Sequence, residues 1–423
     1  MERAIIGRVS ADDDSTEAGP RMTRFLLVFS GQVFSLFGSE LVQFALIWWL
    51  TQASGSATTL ATAAMLGLLP PVVLGPLAGT LVDRSNRRLV MMAADGVIAA
   101  ATLVLAVLFA LGLARVGHVY ALMFVRALGA TFHWPAMQAS TTLMVAPRHL
   151  ARVAGVSQAL RGVANVAMPP LAALLLASLP LAAILAIDVA TALVAITPLV
   201  FVSVPQPERR DPGDASSVWA DLRSGVRFVW EWRGLAVLLA LVSILHFWAA
   251  PAFALTPIVV TRTFGRGADG LAWTQSAMGV GFLVGGLLLG AWGGFRRRIV
   301  TVVLGISILG VSLGVIGALP RSAFWGLVGA VFVAGVVAPV VVGSFQAIQQ
   351  AVVPPQMQGR VLSLARSGMD AMSPLGMVAA GPVADGLGIG RWYLLTGAIM
   401  VLMAGAASLV PAVMSLERRG VDP

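Results

Sequence analysis

Apolar residues in this chain fall in long, nearly unbroken runs rather than in stripes. The runs lie at 25–50, 59–82, 89–113, 118–141, 153–178, 180–203, 234–260, 271–292, 299–319, 322–350, 361–384 and 390–414. Short polar breaks separate them. Each run reaches the ~20 residues that a helix needs to cross ~30 Å of hydrocarbon. A backbone inside lipid must satisfy its own polar groups, and the period-two alternation of a barrel strand is missing, so the runs predict helices. Twelve spans place both chain ends on the same side.

Composition fits this pattern. The chain is 58% hydrophobic and 11% charged, against about 25% charged in a soluble domain. It lacks the polar residues to cover a water-facing surface. No cysteine is present, which excludes disulfides, thiolate nucleophiles and Cys-ligated metal. The four histidines, His118, His133, His149 and His246, show no ligand spacing. No cofactor or metal is therefore expected. With no nucleophile–base set and no phosphate loop, neither is an enzyme.

The net charge of +9 would suggest nucleic acid for a soluble protein. Here arginine placement explains it without one. With the N-terminus inside, twenty arginines fall on the cytoplasmic side, five outside and three within runs. By the positive-inside rule this predicts a multi-pass plasma (inner) membrane protein with both termini cytoplasmic. Residues 1–22 are polar and have no apolar signal-peptide core, so they read as a disordered cytoplasmic tail. Residues 416–423 form the other tail.

The one long polar interruption, 204–233, divides the chain into six-helix halves at 23–203 and 234–415. It contains Pro205, Pro207 and Pro212, then the amphipathic stretch Val218–Trp232, which predicts a short helix on the inner membrane face. The halves read as repeats. Phe124-Val125, Gln138-Ala139, Val145, Pro147 and Arg152-Val153 recur 208 residues later as Phe332-Val333, Gln346-Ala347, Val353, Pro355 and Arg360-Val361. The fold class expected is thus an all-α membrane protein of twelve helices in two pseudo-symmetric halves.

A tight charged turn, Gly79-Thr-Leu-Val-Asp83-Arg84-Ser-Asn-Arg87-Arg88, separates the second and third runs. A degenerate copy, Gly290-Ala-Trp-Gly-Gly-Phe-Arg296-Arg297-Arg298, separates the eighth and ninth. The first turn resembles the signature loop of the major facilitator superfamily. Gly75 and Gly79 give the second helix a small face for close packing. The resemblance implies an inner gate of Asp83, Arg84, Arg87, Arg88 and Arg360, with the acid set against the positive N-terminus of helix 11. The second copy lacks the acid, so the gate is expected to be asymmetric.

The resemblance extends through about residues 25–415. It includes Phe29-Ser-Gly-Gln32, Gly67-Leu-Leu-Pro70, Val73-Leu74-Gly75-Pro76, Ala94-Asp95, Phe124-Val-Arg126, Phe132-His133-Trp-Pro135-Ala136, Ala186-Ile-Asp188, Gly285-Gly-Leu-Leu-Leu-Gly290 and Gly359-Arg360-Val-Leu-Ser363-Leu. These are similar to the twelve-span drug:proton antiporter group of that superfamily, of macrolide-efflux type. The resemblance implies proton-driven export of small amphiphiles by alternating access. Siderophore exporters and lysophospholipid flippases share much of the pattern, and a non-transporting membrane sensor is the alternative from another class. The partners expected are an amphiphilic substrate, protons and membrane lipid, with the protein a monomer.

Four acids lie well inside runs: Glu40, Asp95, Asp188 and Asp370. An ionisable group at such depth marks function by default. Glu40 is 15 residues past Phe25, roughly 22 Å along a helix. In the superfamily helix 1 lines the central cavity, so Glu40 is the leading proton-coupling candidate, with Asp370 and His133 beside it. For His133 a hydrogen-bonded packing role is the somewhat better reading. Asp95 and Asp188 read as members of a buried ion pair with Arg126. Its partner is Asp188, matched in depth, or Glu40 on helix 1. Cavity candidates are Gln32, Phe37, Gln43, His246, Phe247, Gln275 and Gln346.

Overall fold

The polar breaks end the helices by identifiable local chemistry. Gly55 takes a left-handed φ of 59° between the first two helices, which glycine adopts without steric cost. Asn86 caps the third helix, its side-chain oxygen accepting from the Arg88 and Leu89 backbone N–H groups at 3.1 and 3.3 Å. Gly293 ends the eighth helix in a left-handed C-cap, its N–H bonded to the Leu289 carbonyl, the usual way of satisfying an orphan carbonyl.

The computed structural model describes residues 13–206, 227–353 and 355–414, apart from 228 and 231. Among them are twelve long helices: α1 (Asp13–Ser54), α2 (Ala57–Arg84), α3 (Arg87–Ala110), α4 (Val116–Met144), α5 (Pro147–Ser178), α6 (Leu181–Phe201), α7 (Arg233–Ala254), α8 (Ala268–Trp292), α9 (Arg298–Ala318), α10 (Phe324–Val352), α11 (Pro355–Leu387) and α12 (Ile389–Leu409). Ten carry windows long and apolar enough to cross a membrane. The other two are α4, with Arg126 and His133, and α11, with Arg360, Arg366, Asp370 and Asp385. No strand occurs among the described residues. The chain is a multi-pass membrane protein.

Two expectations about boundaries change, and a third is not tested. The tail expected at 1–22 is helical from Asp13 onward, continuous with α1. The run expected to reach 260 breaks at Leu255, after Pro251 and before Pro257, and continues through a short π-helical turn at Val259–Thr263. Most of the amphipathic stretch Val218–Trp232 lies outside the described residues.

The 208-residue repeat holds at the level of whole elements. Val116 to Phe324 and Met144 to Val352 are each 208 apart, so α4 and α10 match end to end. Pro147 and Pro355 open the following helices at the same offset.

Packing does not divide where the sequence does. One compact unit gathers α1 up to Gln43, Val73–Ala164 and the chain from Ser178 through α6; the other gathers Phe44–Val72, Asn165–Ala177 and α7 to α12. Specific bonds explain why parts of α2 and α5 belong to the second unit. Asp385 of α11 binds the first turn of α2, and Ser276 Oγ of α8 donates to the Val166 carbonyl of α5 at 2.8 Å.

In the first unit, Phe25, Val82, Met91, Met144 and Leu199 form a buried cluster at the helix ends flanking the charged turn. In the second unit, glycines set the spacing. Gly281 of α8 lies against Gly335 and Phe332 of α10, and Gly310 and Gly317 of α9 lie against Gly397 and Gly390 of α12. Small residues let helix backbones approach closely, which replaces the hydrophobic drive that lipid removes.

Candidate functional site

The interior of the first unit holds a layered polar network inside an apolar bundle. Its firmest element is an ion pair. Arg126 Nη1 of α4 lies 2.5 Å from Asp188 Oδ2 of α6, both nearly fully buried. The same guanidinium donates to the Ser39 carbonyl of α1 at 3.3 Å and reaches Thr102 Oγ1 of α3 at 3.5 Å. Ser39 Oγ donates in turn to Asp188 Oδ1 at 3.2 Å. Four helices therefore meet on one charge pair. Gly38 lies directly against Asp188 and Thr191, which brings α1 close enough to join it.

Asp95 does not belong to this pair. It precedes Thr102 by seven residues on α3, about 10 Å along the helix. At that level Gln32 Nε2 of α1 donates to Asp95 Oδ2 at 3.1 Å, and His133 Nε2 of α4 lies 3.4 Å from Oδ1. The predicted candidates thus sort into two layers, Arg126–Asp188 and Gln32–Asp95–His133.

Glu40 is half-buried, and no hydrogen bond holds it among the described residues. It lies within electrostatic reach of Arg126 and of Arg161 on α5. Arg161 stacks on Trp134 of α4, its Cζ 3.9 Å from the ring centroid. A cavity of about 470 Å³ opens beside Trp134 and Arg161, with Glu40 and Arg126 outside its wall. Gln32, Asp95, His133, Trp134, Arg161 and Asp188 line it, a size suited to a small organic ligand.

Other expected site residues lie elsewhere. Asp370 sits within α11, but its side chain is 50% exposed and pairs with Arg366 on its own helix at 3.6 Å. It is therefore not a buried carboxylate, and its counter-charge comes from one turn away on the same helix. Phe37 and Gln43 belong to α1 but not to the cavity wall. His246, Phe247, Gln275 and Gln346 belong to the second unit. His246 Nδ1 is engaged with the Val242 carbonyl at 3.0 Å, and Gln346 is exposed.

Two arginines of the charged turn bond to neighbouring helices of the first unit. Arg87 is buried and donates to the Ala139 carbonyl of α4 at 2.9 Å. Arg88 donates to the Leu199 and Val200 carbonyls at the end of α6. Gly75 and Gly79 face open space rather than a neighbouring helix. Among the described residues no close helix contact is made at this pair. Arg84 is exposed. The side chains of Asp83 and Arg360 lie outside the described residues.

The sequence profile described as Major Facilitator Superfamily matches residues 28–377. The chain belongs to this superfamily. It is therefore a membrane transport protein by family, not an enzyme. Among curated relatives in the superfamily, macrolide efflux protein A of Streptococcus pyogenes is 33% identical over 93% of this chain and 97% of its own length. Macrolide efflux protein A of Enterococcus faecalis is 34% identical over 76% of this chain and its full length. The multidrug efflux pump Tap of Mycolicibacterium fortuitum is 27% identical over 95% and 98%. Among solved structures, the nucleoside transporter NupG superposes with a TM-score of 0.72 at 11% identity, over 90% of this chain and 98% of its own. That likeness establishes the fold alone.

Sequence reasoning missed three groups here. Trp134 and Arg161 stand on different helices, and nothing in their spacing joins them. Asp385 lies just past the apolar run at 361–384, in an Ala-Asp-Gly step that reads as a loop.

Proposed function

We propose that this protein exports amphiphilic small molecules of macrolide-like character from the cytoplasm in exchange for protons, across a plasma membrane with both termini inside. Identity to macrolide efflux protein A across nearly the whole chain supports the substrate class. The observation that carries the coupling is a charge imbalance inside the first unit. Glu40, Asp95 and Asp188 supply three carboxylates against the guanidiniums of Arg126 and Arg161. Arg126 is committed to Asp188, and Asp95 accepts a hydrogen bond from Gln32. Glu40 is the carboxylate whose charge can come and go without breaking a hydrogen bond.

In the cycle, a proton arriving from outside neutralises Glu40, releases a bound cationic head group and permits resetting. The electrical gradient contributes ~2.3 kcal/mol per charge per 100 mV. A ligand shifts the two access states only through its different affinity for them. Asp83 keeps the gate role implied by the family motif, whereas Arg87 and Arg88 serve as staples within their unit.

The test is transport in proteoliposomes with an imposed pH gradient. Glu40→Gln should abolish gradient-driven uptake of erythromycin while leaving substrate exchange without a gradient intact. Unchanged gradient-driven uptake by Glu40→Gln would remove Glu40 from the coupling. Failure of the parent protein to lower macrolide sensitivity in an efflux-deficient host would remove the export reading itself.

A further inference from the structure

The two guanidiniums inside the first unit are held in opposite ways. Arg126 is fixed by Asp188, Ser39 and Thr102 on three other helices. Arg161 has no hydrogen-bond acceptor among the described residues. It rests on the Trp134 ring at 3.9 Å, in the field of Glu40. The other nearby carboxylates are engaged, Asp188 with Arg126 and Asp95 with Gln32. A structural arginine at such depth is normally given a fixed acid or carbonyl partner; among the described residues this one rests on an aromatic face, with Glu40 nearby but not bonded.

We infer that the face of Trp134 is the binding site for the cationic head of an amphiphile, and that Arg161 occupies it as a resident stand-in which the ligand displaces.

Three features select this ligand. Indole is the best aromatic partner for a cation, tertiary and quaternary ammonium groups included. Trp134 is 46% exposed and lines the 470 Å³ cavity together with Arg161, so the ring is reachable once the guanidinium moves. The rest of the wall includes Leu36, Ile98, Met137, Leu150 and Val153, an apolar surface for the ligand body. An anion drawn to Arg161 would meet an interior that holds more carboxylates than guanidiniums. A cation that replaces Arg161 keeps the stack and the field of Glu40, and the long arginine side chain can swing its head elsewhere in the cavity.

The site names the substrate class of the export reading, and it is tested without transport so that the two can fail separately. The full chain is purified in detergent and equilibrium binding of radiolabelled tetraphenylphosphonium is measured. Tetraphenylborate, alike in shape and opposite in charge, serves as control. Trp134→Leu should weaken tetraphenylphosphonium binding at least tenfold, about 1.4 kcal/mol, and Trp134→Phe should weaken it less. Arg161→Gln removes the competitor and should tighten binding severalfold. Arg161→Lys, which keeps the charge but not the planar stack, should fall between parent and Arg161→Gln. A monodisperse elution profile for each variant shows that it is folded.

Unchanged or weaker tetraphenylphosphonium binding by folded Arg161→Gln and Arg161→Lys would overturn the inference. So would tetraphenylborate binding that depends on Arg161, which would make that residue an anion anchor. Cation binding of the expected pattern without export leaves the site standing and removes the export reading. Macrolide export with binding insensitive to Arg161 does the reverse.

Discussion

Arg87 and Arg298 make the same bond in two repeats. Each is the first residue of its helix, α3 or α9. Arg87 Nη1 donates to the Ala139 carbonyl at 2.9 Å and Arg298 Nη1 to the Ala347 carbonyl at 3.3 Å. Ala139 and Ala347 are themselves 208 residues apart, at equivalent positions of α4 and α10. The degenerate second turn lost its acid but kept this tie. Arginines that look like topology markers thus also fasten one helix start to the end of its neighbour.

The two ties should differ in strength. A hydrogen bond from a charged group contributes roughly 1.5–3 kcal/mol when desolvated. Arg87 is buried, whereas Arg298 is exposed. Arg87→Ala should lower the thermal midpoint in detergent clearly, and Arg298→Ala only slightly. Equal effects of the two would contradict a role for burial.

Arg126 and Asp188 should be energetically coupled. Removing one partner of a buried pair leaves an uncompensated charge and costs about 3–5 kcal/mol. Arg126→Gln and Asp188→Asn should each destabilise strongly, and the double variant by much less than the sum. Simple additivity in a double-mutant cycle would show that the short contact contributes little.

Asp385 should stabilise the second unit in a pH-dependent way. It accepts the Ala57 and Thr58 backbone N–H groups at 3.0 and 2.9 Å and the Ser56 and Thr58 hydroxyls, and pairs with Arg262 at 3.2 Å. Partial burial alone would raise its pKa. The Thr58 N–H, the Ser56 hydroxyl, the Ala57 N–H and the Thr58 hydroxyl outweigh that and hold it well below the usual carboxylate range. The folded state therefore favours the charged form. Its stabilisation is complete above the unfolded value of about 4 and is lost as pH falls toward the depressed folded value. Loss of a helix cap costs about 0.5–2 kcal/mol. Asp385→Asn should melt lower than the parent by a constant margin from pH 8 to 5, and the margin should close below pH 4. A margin that already shrinks between pH 8 and 5 would argue against this carboxylate.

Close glycine packing in the second unit predicts an asymmetry between neighbours on α8. A Cβ on Gly281 would run into the α10 backbone at Phe332 and Gly335, whereas one on Gly286 meets open space. Gly281→Ala should cost about 1–3 kcal/mol through overpacking, and Gly286→Ala should lie within about 0.5 kcal/mol of the parent. Thermal unfolding of the two purified variants checks this.

The helices were legible because lipid forces a long apolar run into one conformation. The repeat was legible because α4 and α10 keep identical residues at fixed spacing. The site was only partly legible. Depth along a helix is readable from residue counts and pointed to both Asp188 and Glu40 for Arg126; which of them bonds it depends on the rotation of α1 and α6. Asp370 looked buried because it lies within an apolar run, yet its face of α11 is exposed beside Arg366.

By itself the sequence determined the number of long helices, the repeat and the residue types available at depth, because these follow from hydrophobic length and local periodicity. Tertiary structure alone decided the partners. It placed Asp95 with His133, tied Asp385 to the first turn of α2, and laid Arg161 on Trp134. Each of these contacts joins two different helices, neighbouring or distant in sequence, and helix rotation and close approach are set by packing around the whole circumference, which no single segment encodes.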